Sequence, residues 1–153
     1  MSDSSKNPFD LSGKIAVVTG GNRGIGLGLA EGLAQAGAHL SLWARDEASS
    51  AAAAESLARF GGEVQALPCD VSSADDVARA TEATLARFGR IDAGFANAGF
   101  GEAANPLKLE LDDFHRILAT NLDGVFLCFK AWGQHMAERD GGGKLVAISS
   151  ISA

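Results

Sequence analysis

Short runs of consecutive apolar residues alternate along this chain with longer stretches whose apolar positions recur every three or four residues. The first run, Lys14 to Thr19, is apolar on both faces, as a strand buried in a parallel sheet must be. A glycine-rich turn follows, and then a helical pattern from about Ile25 to Ala36 with Ile25, Leu29 and Leu33 forming an apolar stripe. Gly28 and Gly32 fall inside that helix at a cost of about 1 kcal/mol each relative to Ala, which predicts close backbone packing against a neighbour. Gly37 closes the helix. His39 to Ala44 reads as a second strand, and Glu47 to Phe60 as a second helix that absorbs the alanine run 51–54 and stops at Gly61-Gly62. Val64 to Leu67 is a third strand leading into Cys69-Asp70-Val71. Ser73 and Asp76 have capping-box spacing for a third helix ending at Phe88, with Val77, Thr81, Thr84 and Phe88 as its inner stripe. Asp92 to Ala96 is a fourth strand.

The next pattern, Leu111 to Arg139, carries Phe114, Leu118, Leu122, Val125, Phe129, Trp132 and Met136 on one broad face. It is long for one helix, so a bend or break is expected near Asn121. Gly141-Gly142-Gly143 ends it, and Lys144 to Ser149 is a fifth strand. Strands alternating with helices imply an α/β fold: one doubly wound parallel sheet of Rossmann-like form, five strands being present and the carboxyl side incomplete.

Composition adds limits to this picture. The chain has 153 residues, 46% apolar and 21% charged, which suits one globular domain over residues 11–153 behind a polar, flexible arm at 1–10. The arm has no apolar h-region, so a signal peptide is not expected, and the longest apolar runs are far shorter than a membrane span. A net charge of −6 argues against nucleic acid and anionic membranes as partners. Cys69 and Cys128 are too few for a disulfide framework, and such sparing use fits a reducing cytoplasm. No metal site is expected. The sequence contains no tyrosine, although it has eight Phe and two Trp.

The segment Thr19-Gly20-Gly21-Asn22-Arg23-Gly24-Ile25-Gly26 joins the first strand to the first helix. A tight turn, a backbone that must approach a pyrophosphate, and free N–H groups at a helix start all ask for glycine. A strand before it, a helix after it and the start of a βαβ unit are the context of a dinucleotide site. Gly20, Asn22, Arg23, Gly24, Ile25 and Gly26 are therefore candidate cofactor contacts.

The spacing, T-G-x-x-x-G-x-G through Thr19, Gly20, Gly24 and Gly26, resembles that of the short-chain dehydrogenase/reductase family. Other motifs follow in register. Asp70, with Val71 beside it, resembles the family's adenine-contacting aspartate. Asn97-Ala98-Gly99 resembles its Asn-Asn-Ala-Gly motif, with Ala96 in place of the first asparagine. Asn121, before Leu122 and Gly124, resembles its active-site asparagine, and Ile148-Ser149-Ser150 the segment carrying its catalytic serine. The resemblance runs from about Leu11 to Ala153, and implies hydride transfer between a nicotinamide cofactor and a carbonyl or alcohol carbon. In that scheme Ser150 bonds the substrate oxygen and Asn121 holds a water in the proton path. Asp70, Val71, Asn97, Ala98 and Gly99 hold the cofactor.

Members of the family that prefer NAD carry Asp at the position of Ala44. Here Arg45 follows, and Arg23 lies in the glycine turn. Two guanidinium groups beside a missing carboxylate suit a 2′-phosphate, so NADP(H) is expected over NAD(H). Asp46 is the competing group, since a small shift of the turn presents it to the ribose instead. The family's proton donor is a tyrosine with a lysine four residues on, which lowers its pKa from about 10 toward neutrality. That pair should come soon after Ser150, and nothing upstream can replace it. Lys144 starts a strand at the wrong end of the sheet, as does His39, while His115 and His135 read as helix-surface or interface groups. The expectation is therefore about three-fifths of a reductase of roughly 250 residues, inactive alone. The alternative is a catalytically inactive half-domain that binds nucleotide or a partner. The family often pairs through its long helix, which implies a homo-oligomer with Trp132 or Met136 at the interface. Phe100, Gly101 and Glu102 could line the substrate mouth. An alcohol, a sugar, a steroid and a 3-oxoacyl thioester all stay open as substrates.

Overall fold

Five short β-rich runs pair in parallel because each is separated from the next by a crossover long enough to return the chain to the same end of the sheet. The computed structural model describes residues 9–101 and 105–150, so most of the expected arm, Glu102, Ser152 and Ala153 lie outside the described residues. The strands are β1 (Ile15–Thr19), β2 (His39–Ala44), β3 (Val64–Pro68), β4 (Ala93–Ala96) and β5 (Lys144–Ala147). The helices are α1 (Gly24–Gln35), α2 (Glu47–Ala58), α3 (Ala74–Phe88), α4 (Leu111–Leu118) and α5 (Gly124–Ala137). A 3-10 turn, Pro106–Lys108, precedes α4, and a π-helical turn, Ala119–Asp123, separates α4 from α5. The break expected near Asn121 is this π turn.

The sheet order is β3-β2-β1-β4-β5. From β1 the chain winds outward through β2 and β3, then crosses back to β4 and winds the other way. Between β1 and β4 the direction reverses, and ligands of open parallel sheets sit outside the strand carboxyl ends at such a point. The pairing is regular there, with Val17 opposite Gly94 and Thr19 opposite Trp43.

Each face of β1 serves a different core. Ala16 and Val18 join Ala30, Ala34, Leu40, Leu42, Ala53 and Leu57 on the α1 and α2 side. Val17 joins Trp43, Val77, Ile91, Cys128, Trp132 and Met136 on the α3 and α5 side. Trp43 and Trp132 meet edge to face with ring centroids 5.4 Å apart. Trp132 lies so close to the sheet that a Cβ on Gly94 would fall 2.2 Å from its ring. Trp43 Nε1 donates to Ser41 Oγ at 3.0 Å, which keeps that indole's polar atom satisfied in the core.

Several expectations about faces are corrected. The buried stripe of α1 is Gly26, Ala30 and Ala34, not Ile25, Leu29 and Leu33. Ile25 is 71% exposed. Small residues face the sheet because they let the helix axis approach it. Gly28 and Gly32 are exposed with open space around them, so the close approach belongs to Gly26. On the long helical stretch, Cys128, Trp132 and Met136 are buried against the sheet, whereas Leu111, Phe114, Leu122 and Phe126 are exposed. The π turn rotates the apolar face, and Trp132 and Met136 are core residues. His39 and His135 are positioning groups: Nδ1 of His39 accepts the Glu63 N–H at 2.9 Å, and Nε2 of His135 accepts the Ile91 N–H at 3.2 Å. Among the described residues no helix is long and apolar enough to cross a membrane.

Candidate functional site

At the carboxyl end of the sheet, one residue locks the two strands that flank the reversal. Thr19, the last residue of β1, is 1% exposed. Its Oγ1 accepts the N–H groups of Asn97 and Ala98, each at 2.9 Å, and Asn97 Nδ2 donates to the Thr19 carbonyl at 3.0 Å. The loop after β4 is thereby fixed to the start of the glycine turn. Gly20 leaves β1 with φ +64° and donates its N–H to the Trp43 carbonyl at 2.7 Å.

The turn then enters α1. A Cβ at Gly26 would meet the Gly20 carbonyl oxygen at 2.1 Å, so only glycine lets the helix start this close to the strand end. Gly24 has φ +52° and faces open space. The first-turn N–H groups of a helix have no intrahelical acceptor. In α1 no side chain caps them and no acidic residue stands in the first turn. The next two helices are built differently: Asp46 caps α2 by accepting the Ser49 N–H, and Ser73 caps α3 by accepting the Asp76 N–H, each with an acidic residue in its first turn. The start of α1 thus keeps its donors and its partial positive charge for an outside anion. A pyrophosphate fits this cradle.

A cleft of about 630 Å³ opens over the turn. Gly20, Asn22, Arg23, Gly24, Ile25, Gly26, Arg45, Asp70, Val71, Asn97, Ala98 and Gly99 all line it. They come from four separate βα turns, brought together because parallel strands end on the same side. Ala44, Asp46 and Phe100, the cofactor-selecting position, the competing acid and the expected mouth residue, line it as well, and so do Trp43, Cys69 and Thr120, which were not singled out from the sequence. Topology alone would have found Cys69, since it directly follows β3.

The charges in the cleft are unevenly satisfied. Arg59, Arg79, Arg87, Arg90, Arg116 and Arg139 each pair with a carboxylate. Arg23 and Arg45, both exposed at the cleft, make no ion pair among the described residues. Asp46, the competing acid, is engaged as the cap of α2. The Ser49 N–H foremost, then the Ser49 hydroxyl, holds its carboxyl below the usual value, with the Arg23 charge adding to this. Asp70 sits in a turn braced by Asp76, whose carboxylate accepts the Asp70 N–H at 3.1 Å and is held below its ordinary value first by that bond. Burial pushes the Cys69 thiol up to about 12, which disfavours its thiolate despite its position.

Asn121 lies in the π turn. Its Oδ1 accepts the Phe100 N–H at 3.1 Å and its Nδ2 donates to the Phe100 carbonyl at 2.8 Å. Both ends of its amide therefore tie the loop after β4 to the helix break. Ser150 stands just past β5, whose ladder extends through a bond from Ile148 N–H to the Ala96 carbonyl at 3.0 Å. This puts Ser150 beyond the carboxyl end of β5, at the same end of the sheet as the cleft, though it does not line the cleft itself.

The profile of the short chain dehydrogenase family matches residues 14–153. D-threitol dehydrogenase of Mycolicibacterium smegmatis is 38% identical over 145 residues, covering 95% of this chain and 55% of that protein. An alcohol dehydrogenase from the archaeon Thermococcus sibiricus, complexed with 5-hydroxy-NADP, superposes with a TM-score of 0.83 at 36% identity, covering 88% of this chain and 57% of that one. An NAD+-bound xylitol dehydrogenase superposes with a TM-score of 0.89 at 32% identity, covering 93% and 55%. The chain thus spans about half the length of the proteins it matches. The family match over nearly the whole sequence, and the glycine cradle at the reversal of the sheet, mean that this chain belongs to the short-chain dehydrogenases.

Proposed function

We propose that this chain is the cofactor-binding part of an NADP(H)-dependent oxidoreductase that interconverts a carbonyl and an alcohol. The observation that carries the cofactor choice is the pair of cleft arginines without ion-pair partners among the described residues, beside Ala44 where an acid would exclude a 2′-phosphate. The uncapped start of α1 would hold the pyrophosphate, with Gly20, Asn22, Gly24, Ile25 and Gly26 shaping the approach. Arg23 and Arg45 would clamp the 2′-phosphate. Asp70 and Val71 would border the adenine, and Asn97, Ala98 and Gly99 the adjoining ribose. When bound, the nicotinamide supplies or takes up the hydride.

Ser150 would donate a hydrogen bond to the substrate oxygen, stabilising charge that develops there. With its side-chain amide already spent on Phe100, Asn121 would hold a water through its main-chain carbonyl. The sequence has no tyrosine. Proton exchange with the substrate oxygen is therefore assigned to residues outside these 153, and the isolated chain is expected to bind nucleotide without turnover. Titration of the purified protein with NADPH and NADH tests the reading. Arg45→Asp should weaken NADPH at least tenfold more than NADH, since it replaces an attraction to phosphate with a repulsion. Equal losses for the two, or carbonyl reduction by residues 1–153 alone, would overturn it.

A further inference from the structure

The two arginines belong to different turns, and the described hydrogen bonds show what holds those turns together. Backbone bonding between β1 and β2 ends with the Gly20 N–H on the Trp43 carbonyl. Beyond it, among the described residues, one hydrogen bond spans from the glycine turn to the first turn of α2, the helix that follows β2. Asn22 Nδ2 donates to Ser49 Oγ at 2.7 Å across 27 positions of sequence. The Ser49 hydroxyl in turn donates to the Asp46 carbonyl at 3.3 Å. Asn22 is the immediate neighbour of Arg23, and Asp46 the immediate neighbour of Arg45. Ser49 itself does not line the cleft.

We propose that Ser49 is a positioning residue for cofactor selection: its hydroxyl, bridging Asn22 and Asp46, sets the spacing of the Arg23 and Arg45 guanidinium groups that receives a 2′-phosphate. This rests on the NADP reading above. Long, exposed arginine side chains gain affinity only if their backbones are held at the right separation, because ordering them at binding costs conformational freedom. The bridge supplies that order in advance. It acts on the 2′-phosphate and not on the rest of the nucleotide, whose pyrophosphate is held by backbone donors at the start of α1. Removing the hydroxyl leaves the Ser49 N–H on Asp46 Oδ1 at 2.9 Å, so the cap of α2 survives.

The test uses two probes that differ only in the 2′-phosphate, 2′,5′-ADP and 5′-AMP, titrated calorimetrically into the purified protein. Ser49→Ala should weaken 2′,5′-ADP by about five- to tenfold, the worth of one hydrogen bond, and 5′-AMP by less than about twofold. Asn22→Ala breaks the same bond from its other end and should discriminate between the probes in the same direction. The double variant should be no more selective against 2′,5′-ADP than either single one, because both remove one interaction. Ser49→Thr keeps the hydroxyl and should restore the preference. A wild-type preference for 2′,5′-ADP that persists in Ser49→Ala, or a loss equal for both probes, refutes the positioning role alone. Equal binding of the two probes by the wild-type protein refutes the NADP reading and the positioning role with it.

Discussion

Three glycines in one helix should respond to the same substitution in opposite directions. Alanine at Gly26 would put a Cβ 2.1 Å from the Gly20 carbonyl oxygen and 2.5 Å from Asn97 Nδ2, more than 1 Å short of ordinary contact. The first obstacle is backbone and the second is tied to Thr19, so neither can turn aside. The helix start must back away, at the about 1–3 kcal/mol typical of overpacking. Displacing Asn97 also loses its bond to the Thr19 carbonyl, about 1 kcal/mol. Alanine returns about 1 kcal/mol of helix propensity. The net for Gly26→Ala is a loss of about 1–3 kcal/mol, together with weakened nucleotide binding as the turn opens. Gly28→Ala and Gly32→Ala keep the propensity gain and meet nothing within 4 Å, so each should stabilise by about 0.5–1 kcal/mol. Urea unfolding followed by far-ultraviolet circular dichroism reads all three as midpoint shifts at constant slope. A Gly26→Ala protein as stable as Gly28→Ala would refute the argument that α1 is seated by glycine at its first turn.

His135→Leu should cost about 1–3 kcal/mol, because it leaves the Ile91 N–H without its acceptor in a fully buried residue, whereas His39→Leu should cost about 0.5 kcal/mol or less because water can reach Glu63. Equal midpoint shifts for the two in urea would contradict this. Burial pushes the Asp92 carboxyl up, yet the bonds from Arg90 and the Ile15 N–H, with the Arg90 and Arg139 charges, outweigh it and hold the group below its ordinary value. The stability it contributes is therefore present above about pH 4, the unfolded carboxylate value, and is lost as pH falls through the lower native one. Asp92→Asn should lower stability by about 2 kcal/mol at neutral pH and flatten the acid limb of the stability profile; an unchanged acid limb would show that Asp92 plays no such part. Burial pushes both Cys69 and Cys128 up to about 12, so neither should react with Ellman's reagent at pH 8 until the protein is denatured. Prompt release of one equivalent from native protein would mean that the core opens.

The architecture was legible because parallel strands have few arrangements. Once the apolar runs and crossovers were recognised, the carboxyl-end turns had to share one side; the contacts from Gly20 to Gly26 then followed from the glycine turn, while Asp70, Val71 and Asn97 to Gly99 came from the family resemblance. The inner face of α1 was not legible. Ile25, Leu29 and Leu33 carry the strongest apolar signal, but distance to the sheet decides burial, and only glycine and alanine fit at that distance. The long helix misled in a similar way: its length announced a break, while the register change within the π turn, which moves Leu122 and Phe126 outward and Trp132 inward, leaves no mark in the periodicity. His135 looked like a surface or interface group because its role is to accept one backbone N–H from a strand entrance 44 positions away. The Asn22–Ser49 bridge was invisible for the same reason. Two small polar residues in separate turns carry no signal until the fold brings them together.

The cleft is assembled from the ends of four strands and from the π turn, so a molecule seated in it touches stretches of chain from Gly20 to Thr120. Such a ligand closes the fold much as a cross-link would, but reversibly and at a strength set by its concentration. At a hundred times its dissociation constant it adds about 2.7 kcal/mol to the folded state. For a domain of ordinary marginal stability, that is a large share of the whole. With the nucleotide proposed above as that ligand, the lifetime of this chain in a cell would follow the ligand's supply, and starvation for it would be read out as proteolysis.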